Sequence, residues 1–300
     1  MSDASAKNPR ALSVKMTRWQ LAAMIGLTSL AVAVGWGAWR DMILTGWNDE
    51  ESSQVLLAPL AVVWLLWLRR ERLAHWQYRF RWVGTMLIAL GWLACSTGYR
   101  HDHYMSWETG AIIMALGAVV TVAGTDALTR FLPAVAALIF LVPVFPSRRY
   151  LISRPLGAAT ARATQLVCEL FRMQIERHGN LLIVNGVNVS IAEACSGMRM
   201  VMTLLLVSYV YCFVMPLRWP VRVLLLVASP ITAVLCNVIR LVPTVWMFGN
   251  ASTQRAQAFH DFSGWLMIAV AFLVLMGIVR ALTAMTNGKL MALRPMERAI

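Results

Sequence analysis

Apolar runs of about 18 or more residues recur along most of the chain, and nothing else in it restricts the fold as strongly. A run of that length is long enough to cross hydrocarbon as a helix, which needs roughly 20 residues. The spans expected are 19–39, 53–68, 82–99, 108–127, 131–146, 195–215, 222–248 and 264–284. Composition agrees: 59% of the 300 residues are hydrophobic and 14% charged, where a soluble domain carries about a quarter charged residues. The expected fold is an all-α polytopic membrane protein. It has about eight transmembrane helices, an outer amphipathic helix and a small β-hairpin.

The net charge of +13 does not point to nucleic acid. The basic residues form short clusters between apolar runs: Lys7, Arg10, Lys15 and Arg18; Arg69, Arg70, Arg72, Arg79 and Arg81; Arg218 and Arg222; Lys289, Arg294 and Arg298. No basic domain interleaved with aromatics exists to bind a nucleic acid. Short basic clusters between spans mark cytoplasmic loops, so both termini are expected inside. Residues 40–52, 100–107, 147–194 and 249–263 are then outer loops. The expected organisation is a disordered cytoplasmic stretch 1–18, a membrane domain 19–285 and a basic cytoplasmic tail 286–300. The first helix follows a long basic lead and is closed by Trp36, Trp39 and Arg40, so it is expected to remain uncleaved.

Loop 147–194 has two parts. Leu156, Ala159, Ala163, Leu166, Leu170 and Met173 recur at spacings of three and four, with Arg154, Arg162, Gln165, Glu169 and Arg172 opposite. This predicts an amphipathic helix over 154–173 opened by Pro155. It either lies on the bilayer surface or packs over the bundle. Asn185-Gly186 between Leu181–Val184 and Val187–Ile191 predicts a hairpin, because both central residues of its tight turn need positive φ.

Three reactive residues stand near the ends of later apolar runs: Cys195, Arg240 and His260. Cys195 follows the hairpin and is expected to open a helix at the outer face. A helix N-terminus there lowers a thiol pKa, and its free N–H groups hold an oxyanion. Ser196 and Gly197 supply the nearest of those groups. Arg240 lies 18 residues after Arg222, roughly 27 Å along a helix, which brings it near the outer edge. His260 is placed in the loop before the last helix. All three therefore reach the same side of the membrane, whichever way the chain is inserted. Arg199 is expected one turn beyond Cys195, where it either binds a substrate carboxylate or raises the thiolate fraction. Cys212 and Cys236 read as packing residues. His101-Asp102-His103 is a weaker rival, lacking further ligand spacing; no metal or cofactor is expected.

Glu193-Ala194-Cys195-Ser196-Gly197-Met198-Arg199, Asn237-Val238-Ile239-Arg240 and His260-Asp261-Phe262-Ser263-Gly264-Trp265 together resemble the three signature blocks of the exosortase/archaeosortase family. The resemblance extends over most of the chain from about residue 50. It departs at Ser52-Ser53-Gln54, where the family often has Ser-His-Gly, and at Met200, where a serine often follows the arginine. The resemblance implies a membrane-embedded thiol protease or transpeptidase with Cys195, Arg240 and His260 catalytic. Glu193, Ser196, Gly197, Arg199, Asn237 and Asp261 then support them. Its implied partners are the bilayer, membrane-anchored substrate proteins and, in transpeptidation, an acceptor nucleophile. The substrates would carry C-terminal sorting tails: a Pro-Glu-Pro type motif, a transmembrane helix and a basic cluster. The implied setting is a bacterial inner membrane, with the site on the periplasmic or exterior side. The competing readings are a membrane transferase, with Asp102, Glu108, Glu193 or Asp261 as base, or an assembly or export subunit for exopolysaccharide.

Overall fold

A computed structural model describes residues 17–75, 78–144, 146–190, 197–215 and 217–285. Eleven helices and three strands occur among them: α1 (Arg18–Val34), α2 (Trp36–Asn48), α3 (Gln54–Leu68), α4 (Trp82–Arg100), α5 (Tyr104–Ala123), α6 (Asp126–Arg130), α7 (Leu132–Ala137), α8 (Pro146–Leu170), β1 (Ile175–His178), β2 (Leu181–Val184), β3 (Val187–Ser190), α9 (Met198–Val214), α10 (Trp219–Asn250) and α11 (Thr253–Met285). Five helical segments are long and apolar enough to cross a membrane, or six if the bent pair α1–α2 is one span. The segments Leu132–Leu141 and Met198–Val214 are apolar but shorter. The all-α membrane class holds. Among the described residues there are five or six such spans rather than the expected eight: the fifth breaks into α7 and a 3-10 turn, and the described part of the sixth has 17 residues.

The chain divides into two compact units. One comprises the residues up to Trp39 together with Leu66–Val135. Its first helix opens with a reciprocal cap: Gln20 N–H donates to Thr17 Oγ1 at 3.3 Å, and Thr17 N–H to Gln20 Oε1 at 2.9 Å. The helix was expected to run straight to residue 39. It instead ends at Gly35 and turns by 74° into α2. Within this unit α4 and α5 touch along their whole length through Gly84, Gly91 and Gly98 on one helix and Gly110 and Gly117 on the other. A Cβ on Gly91 would meet the Met114 amide nitrogen at 2.5 Å, and one on Gly117 the Ile88 nitrogen at 2.6 Å. Glycine at these places is what lets the two backbones come so close.

The other unit comprises Arg40–Leu65 and the chain from Ala136 onward. Helices α9, α10 and α11 pack on one another in layers. Cys212, Leu217, Val221, Leu225, Leu275 and Val279 form one apolar layer. Met200, Leu204, Ala233, Cys236 and Ala271 form the next. Further along α10, Leu241 and Val245 pack with Ala161 of α8 and with Leu182, Val184 and Val189 of the sheet. The layers leave one level of α10 between them, where Asn237 and Arg240 are buried beside Val238.

The Asn-Gly hairpin is present, with Asn185 at φ 50° and Gly186 at φ 79°. Its antiparallel register pairs Val184 with Val187 and Leu182 with Val189. A third strand, β1, pairs with β2 through a second two-residue turn, Gly179-Asn180. Its residues, Ile-Glu-Arg-His, are too polar and short to announce a strand. Helix α8 opens at Pro146, eight residues before the expected start, so Pro155 is internal rather than at the first position. Its packed face is also not the leucine stripe. Ser153, Thr160, Ala161, Thr164 and Cys168 are buried, whereas Leu166 and Leu170 are 60% and 81% exposed. Small side chains let α8 approach α10 and the sheet, and Leu166 and Leu170 face outward.

Candidate functional site

Asn237 and Arg240 lie three residues apart on α10, on one face of the helix. Both are buried, Arg240 to 5% exposure. Arg240 is ten residues short of the end of α10, so it cannot reach water by snorkelling past the helix terminus. Pro243, one turn on, has no N–H to offer the Ile239 carbonyl, and the Thr244 hydroxyl donates to the Arg240 carbonyl at 2.8 Å. The helix at Arg240 is thus held partly by side-chain bonding.

His260 was expected in a loop over 249–263. That loop is reduced to the two residues between α10 and α11, Ala251 and Ser252, and His260 sits in the second turn of α11. Thr253 onward is helical because only a short connection is needed to reverse α10 into an antiparallel neighbour. The change matters for the site. A histidine on a helix, 5% exposed, has a fixed direction that a loop histidine lacks. Its Nδ1 lies 3.1 Å from Asp261 Oδ1, and the charges of Asp261, Arg240 and Arg199 all act on its ring. Gly264, one turn on, faces α10 closely: a Cβ there would stand 2.9 Å from Arg240 Nη1. Absence of a side chain at 264 makes room for the guanidinium next to the imidazole.

Helix α9 enters the same place. Gly197 is its N-cap, at φ 81°, and a Cβ on it would meet Asn237 Nδ2 at 2.8 Å. Any other residue would be strained in that backbone conformation and would push on Asn237. Arg199, in the first turn, forms an ion pair with Glu50. Glu50 belongs to an acidic turn, Asp49-Glu50-Glu51, preceding α3. There Asp49 accepts hydrogen bonds from the Glu51 N–H at 3.2 Å and the Ser52 hydroxyl at 2.9 Å. Arg149 of α8 bridges to Asp49, and to Glu51 at 3.0 Å. This acidic clasp was missed as part of the site. Three consecutive acids in a chain with only 14 were the signal available.

Of the expected site residues, the structure brings together Gly197, Arg199, Asn237, Arg240, His260 and Asp261. Cys195, Glu193 and Ser196 lie outside the described residues, and the described part of the helix after Cys195 begins at Met198 rather than at the cysteine. The described cysteines, Cys95, Cys168, Cys212 and Cys236, are free thiols. Cys212 and Cys236 sit in the apolar layers. Burial, with Glu169 beside it, pushes the Cys168 thiol up, the wrong direction for a nucleophile. His101, Asp102 and His103 are exposed between α4 and α5. No group of three His, Cys, Asp or Glu residues able to hold a metal occurs among the described residues.

Fold and site define a multi-pass helical membrane protein with a buried guanidinium and imidazole side by side at one level of a three-helix wall. The chain belongs to the transmembrane exosortase family, whose family model matches residues 46–277. That span takes in the acidic turn, the sheet and all three signature blocks. Membership supports a transpeptidase- or protease-like role on protein substrates at a membrane. No curated protein and no solved structure matches the chain.

Proposed function

We propose that the protein is a thiol protease or transpeptidase that cuts C-terminal sorting tails from membrane-anchored proteins. The observation that carries this reading is the apposition of Arg240 and His260, both buried, across the glycine at 264. A buried cation beside a buried imidazole suits a reaction in which an oxyanion forms and a proton must be moved.

The steps follow from the residue chemistry. The Cys195 thiol gives its proton to His260, and the sulfur attacks the carbonyl carbon of the substrate peptide bond. Negative charge gathers on the carbonyl oxygen, where Arg240 stabilises it. The C–N bond breaks, the leaving amine takes the proton from His260, and a thioester remains on Cys195. Water or an acceptor nucleophile then gives its proton to His260 and attacks the thioester carbon, and the sulfur leaves as thiolate and regains the proton from His260. Asp261 holds the His260 ring in its orientation, and Arg199 faces the same space. The domain from 19 to 285 sits in a bacterial inner membrane, with both termini cytoplasmic and the site toward the periplasm or exterior. The basic clusters between spans support that orientation.

The test is co-expression with a tagged reporter bearing a Pro-Glu-Pro type tail, its transmembrane helix and its basic cluster. Wild type is expected to shorten the reporter. Cys195→Ala is expected to lose at least about a thousandfold in rate, as when a covalent nucleophile is removed. A Cys195→Ala protein that still processes the reporter would sink the assignment.

A further inference from the structure

The two edges of the small sheet differ in a way that bears on how a substrate is held. Strand order is β1-β2-β3, so β1 and β3 are its edges among the described residues. Strand β1 contacts α8 and carries Glu176, Arg177 and His178, and Arg177 donates to Gln165 of α8 at 3.0 Å. Charge and cover of this kind are how proteins blunt an edge against pairing. Strand β3 reads Val187-Asn188-Val189-Ser190, with no charge, no proline and no bulge. Val187, Asn188 and Ser190 are exposed, and Val189 alone turns inward.

The turn dictates which peptide groups face out. A two-residue hairpin makes the flanking pair, Val184 and Val187, exchange both hydrogen bonds. The next exchanging pair is Leu182 and Val189. Asn188, between them, therefore points its N–H and C=O away from β2. Neither group has a partner there among the described residues.

This edge is placed rigidly. Val189 is buried with Leu241 and Val245, the first of which directly follows Arg240 on α10. A Cβ on Gly249 would touch Val184 Cγ1 at 2.5 Å, and the Asn185 amide donates to the Gly249 carbonyl at 3.2 Å. The strand is thus bolted to the helix that holds the candidate oxyanion-binding cation.

We propose that the outer edge of β3, through the Asn188 peptide groups, binds the backbone of an extended substrate peptide as an added strand. The occupant is the stretch of substrate that precedes its transmembrane helix. It must be extended to expose a scissile bond, and its own N–H and C=O groups match the spacing of an edge strand. Such binding reads backbone rather than side chains, so it serves many substrates that share only a short motif. The inference rests on the protease reading above.

The test uses Asn188→Pro, which removes the outward N–H and leaves the β2–β3 hydrogen bonds intact, a place where a strand tolerates proline. Asn188→Ala is the control. Asn188→Pro is expected to raise the reporter KM roughly tenfold or somewhat less, the scale of one backbone hydrogen bond. Labelling of Cys195 by iodoacetamide should stay unchanged, and Asn188→Ala should stay within about twofold of wild type, since surface substitutions are usually near neutral. An unchanged KM in a folded Asn188→Pro protein overturns the shelf while leaving the protease reading intact. If Cys195→Ala processes the reporter as wild type does, both fall together. Should Asn188→Pro not fold, synthetic peptides of the tail motif, N-methylated at successive positions, take its place. Loss of competition at alternate positions supports strand pairing, and indifference at every position overturns it.

Discussion

Helices α4 and α5 come together through glycines, whereas α9, α10 and α11 come together around Gly197, Asn237, Arg240 and His260. In the first pair the contact is backbone against backbone, Gly91 against Met114 and Gly110 against Cys95. In the second group two apolar layers close above and below a level of buried polar groups. An ionisable side chain at that depth is costly and is kept where it has work to do. A glycine contact contributes packing and nothing else. The same residue type serves the site differently, since Gly197 and Gly264 make space for Asn237 and Arg240 rather than for another backbone.

That contrast can be broken from either side. The largest effect is expected at Arg240→Ala, with reporter processing falling about a hundred- to a thousandfold, the range for losing an oxyanion-stabilising donor. Activity should fall far more than the melting temperature in detergent. A variant that melts early yet works normally per folded molecule would make Arg240 a structural bolt. Gly91→Ala should do the reverse. Its new methyl meets the Met114 backbone, which cannot move aside, so a loss of about 1–3 kcal/mol is expected in unfolding experiments. Activity per folded molecule should be retained. The smallest effect belongs to Glu50→Gln. Its pair with Arg199 leaves Glu50 63% exposed, and ion pairs that open to solvent contribute about 1 kcal/mol at most. Processing should change by less than about fivefold, and a larger change would place the acidic clasp inside the catalytic machinery.

Much of this molecule is legible from local pattern. Run length identifies the membrane class, because crossing hydrocarbon needs a certain number of apolar residues wherever they sit. The Asn185-Gly186 turn is legible because positive φ at two adjacent residues is a property of those residues alone. Arg240 stood out because a charge in an apolar run has few inexpensive explanations. Other features had no local signature. Gly35 looks like any glycine in an apolar helix, yet the chain turns there by 74°. The leucine stripe of α8 reads as a face for either the bilayer or the bundle, and only the structure shows that the small residues Ser153, Thr160, Ala161, Thr164 and Cys168 are what pack. The polar stretch 249–263 reads as a loop, yet α10 and α11 run through nearly all of it, since their packing partners extend that far.

By itself, then, the sequence determined the membrane class, the hairpin and the family. Each of these depends on composition, spacing or turn chemistry within a few residues. Tertiary structure alone decided that His260 is a helix residue facing Arg240 and that Gly264 and Gly197 make the space. It also decided that an acidic turn about 150 residues upstream holds Arg199. Those are contacts between segments far apart in the chain, and their geometry is set by how closely helices approach, which no single segment encodes.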